Sequence, residues 1–507
     1  MVSPTVALAS TVATLAVVTA AGLLYARGRV GSVEDLLTAR NSTGTAMTTA
    51  TLIASTMGAW ILFSPAEAGA AFGGLTAILG YAIGSAIPLL LFIPVGARIR
   101  ELMPSGHSLT EFVLVRFGPI MYVFVLVVSV FYMFIFLAAE MTAIAGSLEL
   151  VAGVPAWQTA TAVGVFVLIY TAYGGLVASI FTDTVQTLVI LPLLALGFTA
   201  AVFSLGGTGE IYSTAVSTNP DLLDPGFRPG LEFGLYVVFA ILGANMLNQG
   251  IWQRVYAADG EATLRRSFAV AALTVVPMVL LAGLFGVAAA GLGLVTPETQ
   301  SVAFFLVVTE VLPDTLVFVV VLLVVLLVMS SADTMFNAIS SLVTVDIARL
   351  IEVENEQSLK LTGRGLTVLV AVGAVWIGAQ GYSVLALFLT ADLFAAAVFV
   401  PLIWGLYTPS LSEAGALVAS VSGLVVGIAY FPMLRGVLSL VPGLVPLLPE
   451  ASFLAAFLGA TAVSTAVTAI AVYVGNENFA FDSLSTRIRS FDESTDETPT
   501  PTGEVSD

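Results

Sequence analysis

The residues best suited to chemistry sit within long apolar runs. Ser330, Ser331, Thr334 and Asn337 follow the run LVFVVVLLVVLLVM at 316–329. Neighbouring hydroxyls beside unwound carbonyls make an oxygen-only donor set, which suits a hard cation such as Na+. The plainer reading has these side chains bonding back to the preceding helical turn. A second stretch gathers Gly243, Asn245, Asn248, Gln249 and Gly250. Three amides at membrane depth either engage a solute or hold neighbouring helices together. A third stretch, Ser55-Thr56-Met57-Gly58 followed by Ser64-Pro65 and Gly69, weakens its helix through glycine and proline. Carbonyls freed at such a break can coordinate a cation, and a kink that serves only packing is the equal alternative.

Four acids accompany them. Glu140 lies deep in FLAAEMTA, where an ionisable group is a candidate to sense solute or carry a proton, or is a carboxyl bonded into the bundle. Glu67, at the outer end of its segment, is expected to be solvated. Asp183 falls at the inner end of another segment, where a cation could leave. Asp333 follows the hydroxyl pair, placed to face the cytoplasmic path or to cap a helix. Trp60, Trp252, Tyr132 and Phe63 are candidates to line a solute pocket, against the commoner role of aromatics as core.

The elements that hold these residues must be membrane helices. Apolar residues make up 58% of the 507, charged residues only 10%. Soluble domains carry roughly 25% charged residues. Such a chain cannot cover a soluble exterior, and it is far too apolar for disorder. Continuous apolar runs also exclude the alternating strands of a membrane β-barrel. The absence of cysteine excludes disulfides and thiolate metal sites, and the single histidine, His107, argues against haem and histidine-rich metal sites. The net charge of −17 argues against nucleic-acid binding, and with a single lysine it suits a surface screened by high salt, as in a halophile.

Thirteen hydrophobic segments are predicted, at roughly 4–25, 45–67, 71–95, 119–149, 157–176, 184–206, 233–252, 267–293, 314–346, 366–381, 384–407, 413–433 and 451–474. Residues 1–474 would form the transmembrane domain, and the acidic stretch 475–507 a disordered, solvated cytoplasmic tail. The loops after odd-numbered segments carry Arg27, Arg29 and Arg40; Arg98, Arg100 and Arg116; Arg254, Arg265 and Arg266; Arg349, Lys360 and Arg364. Only Arg228 and Arg435 fall on the other side, so the positive-inside rule puts the N-terminus outside a cell membrane and the C-terminus in the cytoplasm. Segments two to six (45–206) and seven to eleven (233–407) form two sets of five, and an odd number per set inverts one set against the other.

Three motifs then resemble the solute:sodium symporter family. They are Tyr173-Gly174-Gly175-Leu176 with Phe181-Thr182-Asp183-Thr184-Val185-Gln186, Met329-Ser330-Ser331-Ala332-Asp333-Thr334 with Thr344-Val345-Asp346-Ile347, and Asn248-Gln249-Gly250-Ile251-Trp252-Gln253-Arg254-Val255-Tyr256-Ala257-Ala258. The resemblance spans residues 1–475 and implies an all-α polytopic protein with about 13 transmembrane helices and a leucine-transporter-type 5+5 inverted repeat. It implies a Na+ site built from the carbonyls of Ala54, Met57 and Leu327 and the hydroxyls of Ser330 and Ser331, with Asp183 near the sodium exit. Met57-Gly58-Ala59-Trp60 looks like the proline-transporting branch, whereas Gly250–Trp252 and Met103-Pro104 with His107 and Glu111 look like the urea-transporting branch. Gly250 stands where sugar transporters of the family have Tyr, and Glu140 matches no branch pattern.

These readings converge on a symporter that imports a small polar solute with Na+ as coupling ion, without an organic cofactor. The solute pocket would be lined by Thr56, Trp60, Asn245, Asn248, Gln249 and Trp252. The alternatives are proton coupling through Glu140, or a family member carrying a carboxylate. A sensor is disfavoured by the lack of an appended signalling domain. A channel is disfavoured by the lack of a repeated filter sequence. An intramembrane enzyme is disfavoured because the one histidine lies in a loop.

Overall fold

The structure, a computed structural model, describes residues 3–30, 37–350 and 356–488, without the side chains of 344–350 and 356–364. The side chains of the motif at 344–347 and of Arg349, Lys360 and Arg364, and the end of the tail from residue 489, lie outside what is described. The described chain is helical, with one isolated bridge between Thr43 and Ala258.

Among the described residues, ten helices are long and apolar enough to cross a membrane. The thirteen segments emerge once the breaks are read. The helix Ala156–Ser204 is two segments joined at Gly175, whose φ of 52° and ψ of −144° only glycine adopts without strain. Segment two is two short helices, Thr45–Thr56 and Trp60–Glu67. It passes through a π-helical turn at Ala68–Gly73 into segment three, Gly74–Leu102. Segment seven is likewise Arg228–Met246 followed by Gln249–Ala257. Segment ten is the helix Glu356–Gly378. Both sets therefore begin with a broken helix, as inverted repeats of transporters do.

The two broken helices are pinned together beyond their ends. Thr43 donates its backbone N–H to Ala257 at 3.0 Å and accepts that of Asp259 at 3.0 Å. Asn41 N–H reaches Tyr256 O at 3.1 Å. Segment nine, Asp314–Leu350, runs through the middle. In its most apolar window 72% of the residues are buried, against 28% in segment one. Exposed apolar side chains such as Leu188, Phe203, Leu273 and Tyr473 cover the outside, which suits acyl chains and not water.

The start of the tail departs from the expectation of a solvated chain. Residues 476–488 dock on the bundle: Leu484 and Ile488 are buried, Phe479 N–H bonds Pro409 O at 3.2 Å, and the Arg116 guanidinium lies 4.7 Å from the Phe479 ring. The apolar residues Phe479, Phe481, Leu484 and Ile488, spaced within an otherwise polar stretch, bury enough surface to order it.

Candidate cation and solute sites

The break in segment two is held open by a carboxylate from segment four, Pro119–Ala152. Glu140 Oε2 accepts the backbone N–H of Ala59 at 2.8 Å, and Oε1 that of Trp60 at 3.3 Å. Ile61 N–H turns to Gly58 O at 3.2 Å. In an unbroken helix these three donors would satisfy the carbonyls of Ser55, Thr56 and Met57. The Thr56 carbonyl instead accepts the Trp60 indole N–H at 3.0 Å. The Met57 carbonyl is thus released from the helix, and Ala54 and Met57 are both buried at the break.

Segment nine faces this break with its hydroxyl pair. Ser331 Oγ donates to Glu140 Oε2 at 2.8 Å and lies 3.1 Å from Leu327 O. Glu140 therefore joins the broken turn to Ser331, and all three are buried. The two readings of Glu140 merge: it is bonded into the bundle, and it sits beside the oxygen donors expected to hold a cation. Gly58 makes the approach possible, because a Cβ there would lie 2.2 Å from Glu140 Oε1.

The neighbouring hydroxyl serves a different partner. Ser330 Oγ donates to Asp183 Oδ1, which also accepts at Oδ2 from Thr51 Oγ1 at 2.5 Å. Arg254 Nη2 pairs with Asp183 Oδ2 at 2.9 Å and reaches Thr334 Oγ1 at 2.8 Å, while its Nε contacts Thr51 Oγ1 at 3.2 Å. Asp333 completes the cluster by accepting Tyr170 Oη at 2.6 Å and Ser179 Oγ at 2.7 Å. Arg254, read from sequence as a loop cation, is fully buried, as are Asp183 and Asp333. The signal that could have placed it was its position six residues after Asn248, still inside the amide-rich segment. Glu67 is also buried, not solvated, because Ser383 Oγ donates to it at 2.8 Å.

A central cavity of about 50 Å³ lies between segments two, three, four, seven and eleven. Thr56, Trp60, Asn245, Asn248 and Tyr132, all expected from sequence to line a solute pocket, line this cavity. Gln249 and Trp252 do not. Gln249 Nε2 is committed to His107 O at 2.7 Å. Trp252 is buried in the core, with its indole N–H on Met246 O at 2.8 Å and its ring edge on Phe92. Three residues separate Asn248 from Trp252, so the second half-helix of segment seven carries them to different surroundings. Sequence reading missed Tyr81, Phe136, Phe388 and Asp392, which also line the cavity. Asp392 is an ionisable residue inside the apolar segment Val384–Gly405, a signal available from sequence. Phe63 packs on Phe305 and lines a separate cavity of about 280 Å³ with Glu149 and Glu298.

The family model described as Sodium:solute symporter family matches residues 36–423. The chain belongs to this family. The spermidine transporter DUR31 of Candida albicans is 27% identical over 76% of this chain and 71% of its own. The probable urea active transporter 1 of Schizosaccharomyces pombe is 24% identical over 46% of this chain and 37% of its own. The sodium/glucose cotransporter 2 of Rattus norvegicus is 27% identical over 75% of this chain and 64% of its own. The chain thus spans well under two thirds of the urea relative's length. The solved structure of a Na+-coupled sialic acid symporter, in a substrate-bound outward-open state, superposes with a TM-score of 0.74 at 16% identity, covering 93% of this chain and 99% of that one. The architecture is the leucine-transporter-type inverted repeat, and the chain is a multi-pass membrane transporter, not an enzyme.

Proposed function

We propose that this symporter-family protein imports a small polar solute, such as urea or an amino acid like proline, by coupling it to Na+ in alternating access. The observation that carries this reading is the Glu140 bridge: one carboxylate holds the broken turn of segment two against Ser331 of segment nine. The expected Na+ donors are the carbonyls of Ala54, Met57 and Leu327 and the hydroxyls of Ser330 and Ser331, all on these two buried stretches. Their chemistry fits Na+, because every donor is a hard oxygen.

Na+ bound there would fasten segment two to segment nine. The cavity touches the same break through Thr56 and Trp60, so ordering the break also orders the solute pocket. Each ligand would then favour the same state, and the coupling is reciprocal. At the other end, the Arg254–Asp183 pair ties segments two, six, seven and nine together through Thr51, Ser330 and Thr334. We assign this cluster to the cytoplasmic seal, which must part for inward release, with the N-terminus outside. An inside-negative membrane potential drives Na+ inward by about 2.3 kcal/mol per charge per 100 mV.

Relatives named as urea and spermidine transporters support a nitrogenous solute. An acidic residue in the cavity, Asp392, disfavours the carboxylate alternative. The test is uptake of labelled urea, proline and acetate into vesicles under an inward Na+ gradient and under a K+ gradient of equal ionic strength and membrane potential. Accumulation only with Na+ is expected. Equal accumulation under both gradients would remove the coupling.

A further inference from the structure

The central cavity contains a carboxylate with nothing to balance it. Asp392 is 5% exposed, and its Oδ1 is buried without a hydrogen-bond partner. Among the described residues that line the cavity none is basic. A buried carboxylate without partners carries a large desolvation cost unless a counter-charge joins it. Elsewhere in this bundle the carboxylates are served: Glu140 by two backbone N–H groups and Ser331, Asp183 by Arg254, Asp333 by Tyr170 and Ser179. Asp392 is the exception, and it is the one that faces the cavity.

The walls around it are aromatic and continuous. Trp60 stacks on Tyr81 at 5.9 Å between centroids and meets Phe388 edge-on at 6.2 Å. Phe388 meets Phe136 at 5.0 Å, and Phe136 meets Tyr132 at 6.2 Å. Ring faces attract cations within about 6 Å, most strongly where water is excluded. A buried acid beside five joined rings favours a cationic headgroup, which narrows the small polar solutes proposed above to those that carry a positive charge.

We propose that the solute carries a positive headgroup, an ammonium or a guanidinium, paired with Asp392 and enclosed by the rings of Trp60, Tyr81, Tyr132, Phe136 and Phe388. This rests on the reading of the cavity as the solute site. Asn245 and Asn248 supply the remaining polar contacts at the cavity wall. The cation binds by exchange of its hydration shell for one carboxylate and several π-faces, and no bond is made or broken.

Guanidinium and urea test this directly, since they share size and planarity and differ in charge. Thermal unfolding of the purified protein is measured with guanidinium chloride or putrescine dihydrochloride at millimolar concentration, and with urea under the same conditions. Ionic strength is matched with NaCl. At least one of the two cations is expected to raise the melting temperature, and urea is not. Asp392→Asn is expected to abolish that shift and to raise the half-saturating concentration for labelled putrescine uptake at least about tenfold. Phe136→Ala keeps the carboxylate and is expected to weaken the cation severalfold, which preserves the test if Asp392→Asn does not fold. Response to urea with none to either cation, or a cation response that survives Asp392→Asn, would overturn the assignment. The Na+-versus-K+ gradient comparison is read separately. Cation binding that needs Asp392 but is indifferent to Na+ would sink the coupling and leave the headgroup assignment standing. Na+-driven urea uptake untouched by cations would do the reverse.

Discussion

Ser331 donates its hydroxyl to Glu140 at 2.8 Å, across the gap between segments nine and four, at the point where segment two breaks. That one bond brings three helices to the expected cation donors. Removing it separates two roles that a sequence cannot: Ser331→Ala deletes a proposed Na+ donor and also a partner of the carboxylate. The half-saturating Na+ concentration for uptake is expected to rise about tenfold, the cost of one lost hydrogen bond or ligand. Solute affinity at saturating Na+ should change less. A Na+ curve that superposes on the parent's would refute the site.

Gly58 is the residue that permits the Glu140 bridge. Its missing Cβ leaves room for a carboxyl oxygen that would otherwise lie at 2.2 Å. Gly58→Ala is expected to cost about 1–3 kcal/mol as overpacking, seen as a lower melting temperature, and to suppress uptake. Retention of both parent values would mean that the carboxylate moves freely, against the capped geometry described above.

The Arg254–Asp183 pair predicts an asymmetry between single and double substitution. Arg254→Gln or Asp183→Asn alone leaves a buried charge unpaired, at about 3–5 kcal/mol. Together they remove both charges, and the double variant is expected to be more stable than either single one. The chain has no cysteine, so Gln186→Cys is a background-free reporter beside the cluster. The single variants should raise its rate of thiol labelling from the cytoplasmic side. Unaltered labelling would show that the cluster braces the fold without gating it.

Gln249 and Trp252 are structural in this geometry. Gln249→Ala removes the Gln249 hydrogen bond to the His107 carbonyl, at about 1–3 kcal/mol, with the half-saturating solute concentration unchanged. The opposite outcome, a tenfold weaker solute with normal melting, would return Gln249 to the pocket.

The docked beginning of the tail is testable on its own. Leu484 is buried against the bundle, and Leu484→Asp would force a carboxylate into that contact. The melting temperature is expected to fall by at least a few degrees, with Na+ dependence retained.

Much of this architecture was legible before any coordinates. Apolar runs of membrane length, glycines at matching places in segments two and seven, and hydroxyls after the run in segment nine are local properties, and local chemistry dictates them. Backbone donors cannot be left bare in lipid, so long apolar runs must be helices. Thr56, Trp60, Asn245 and Asn248 reach the cavity because they sit at or beside the breaks themselves. What sequence could not decide was direction and partnership. Whether Arg254 sits in a loop or under Asp183, whether Trp252 faces solute or Phe92, and whether Glu67 meets water or Ser383 all depend on how helices rotate about their axes. Rotation is set by packing between segments far apart in the chain. The same packing brought Glu140 to Ala59 and left Asp392 alone among rings supplied by segments two, three, four and eleven.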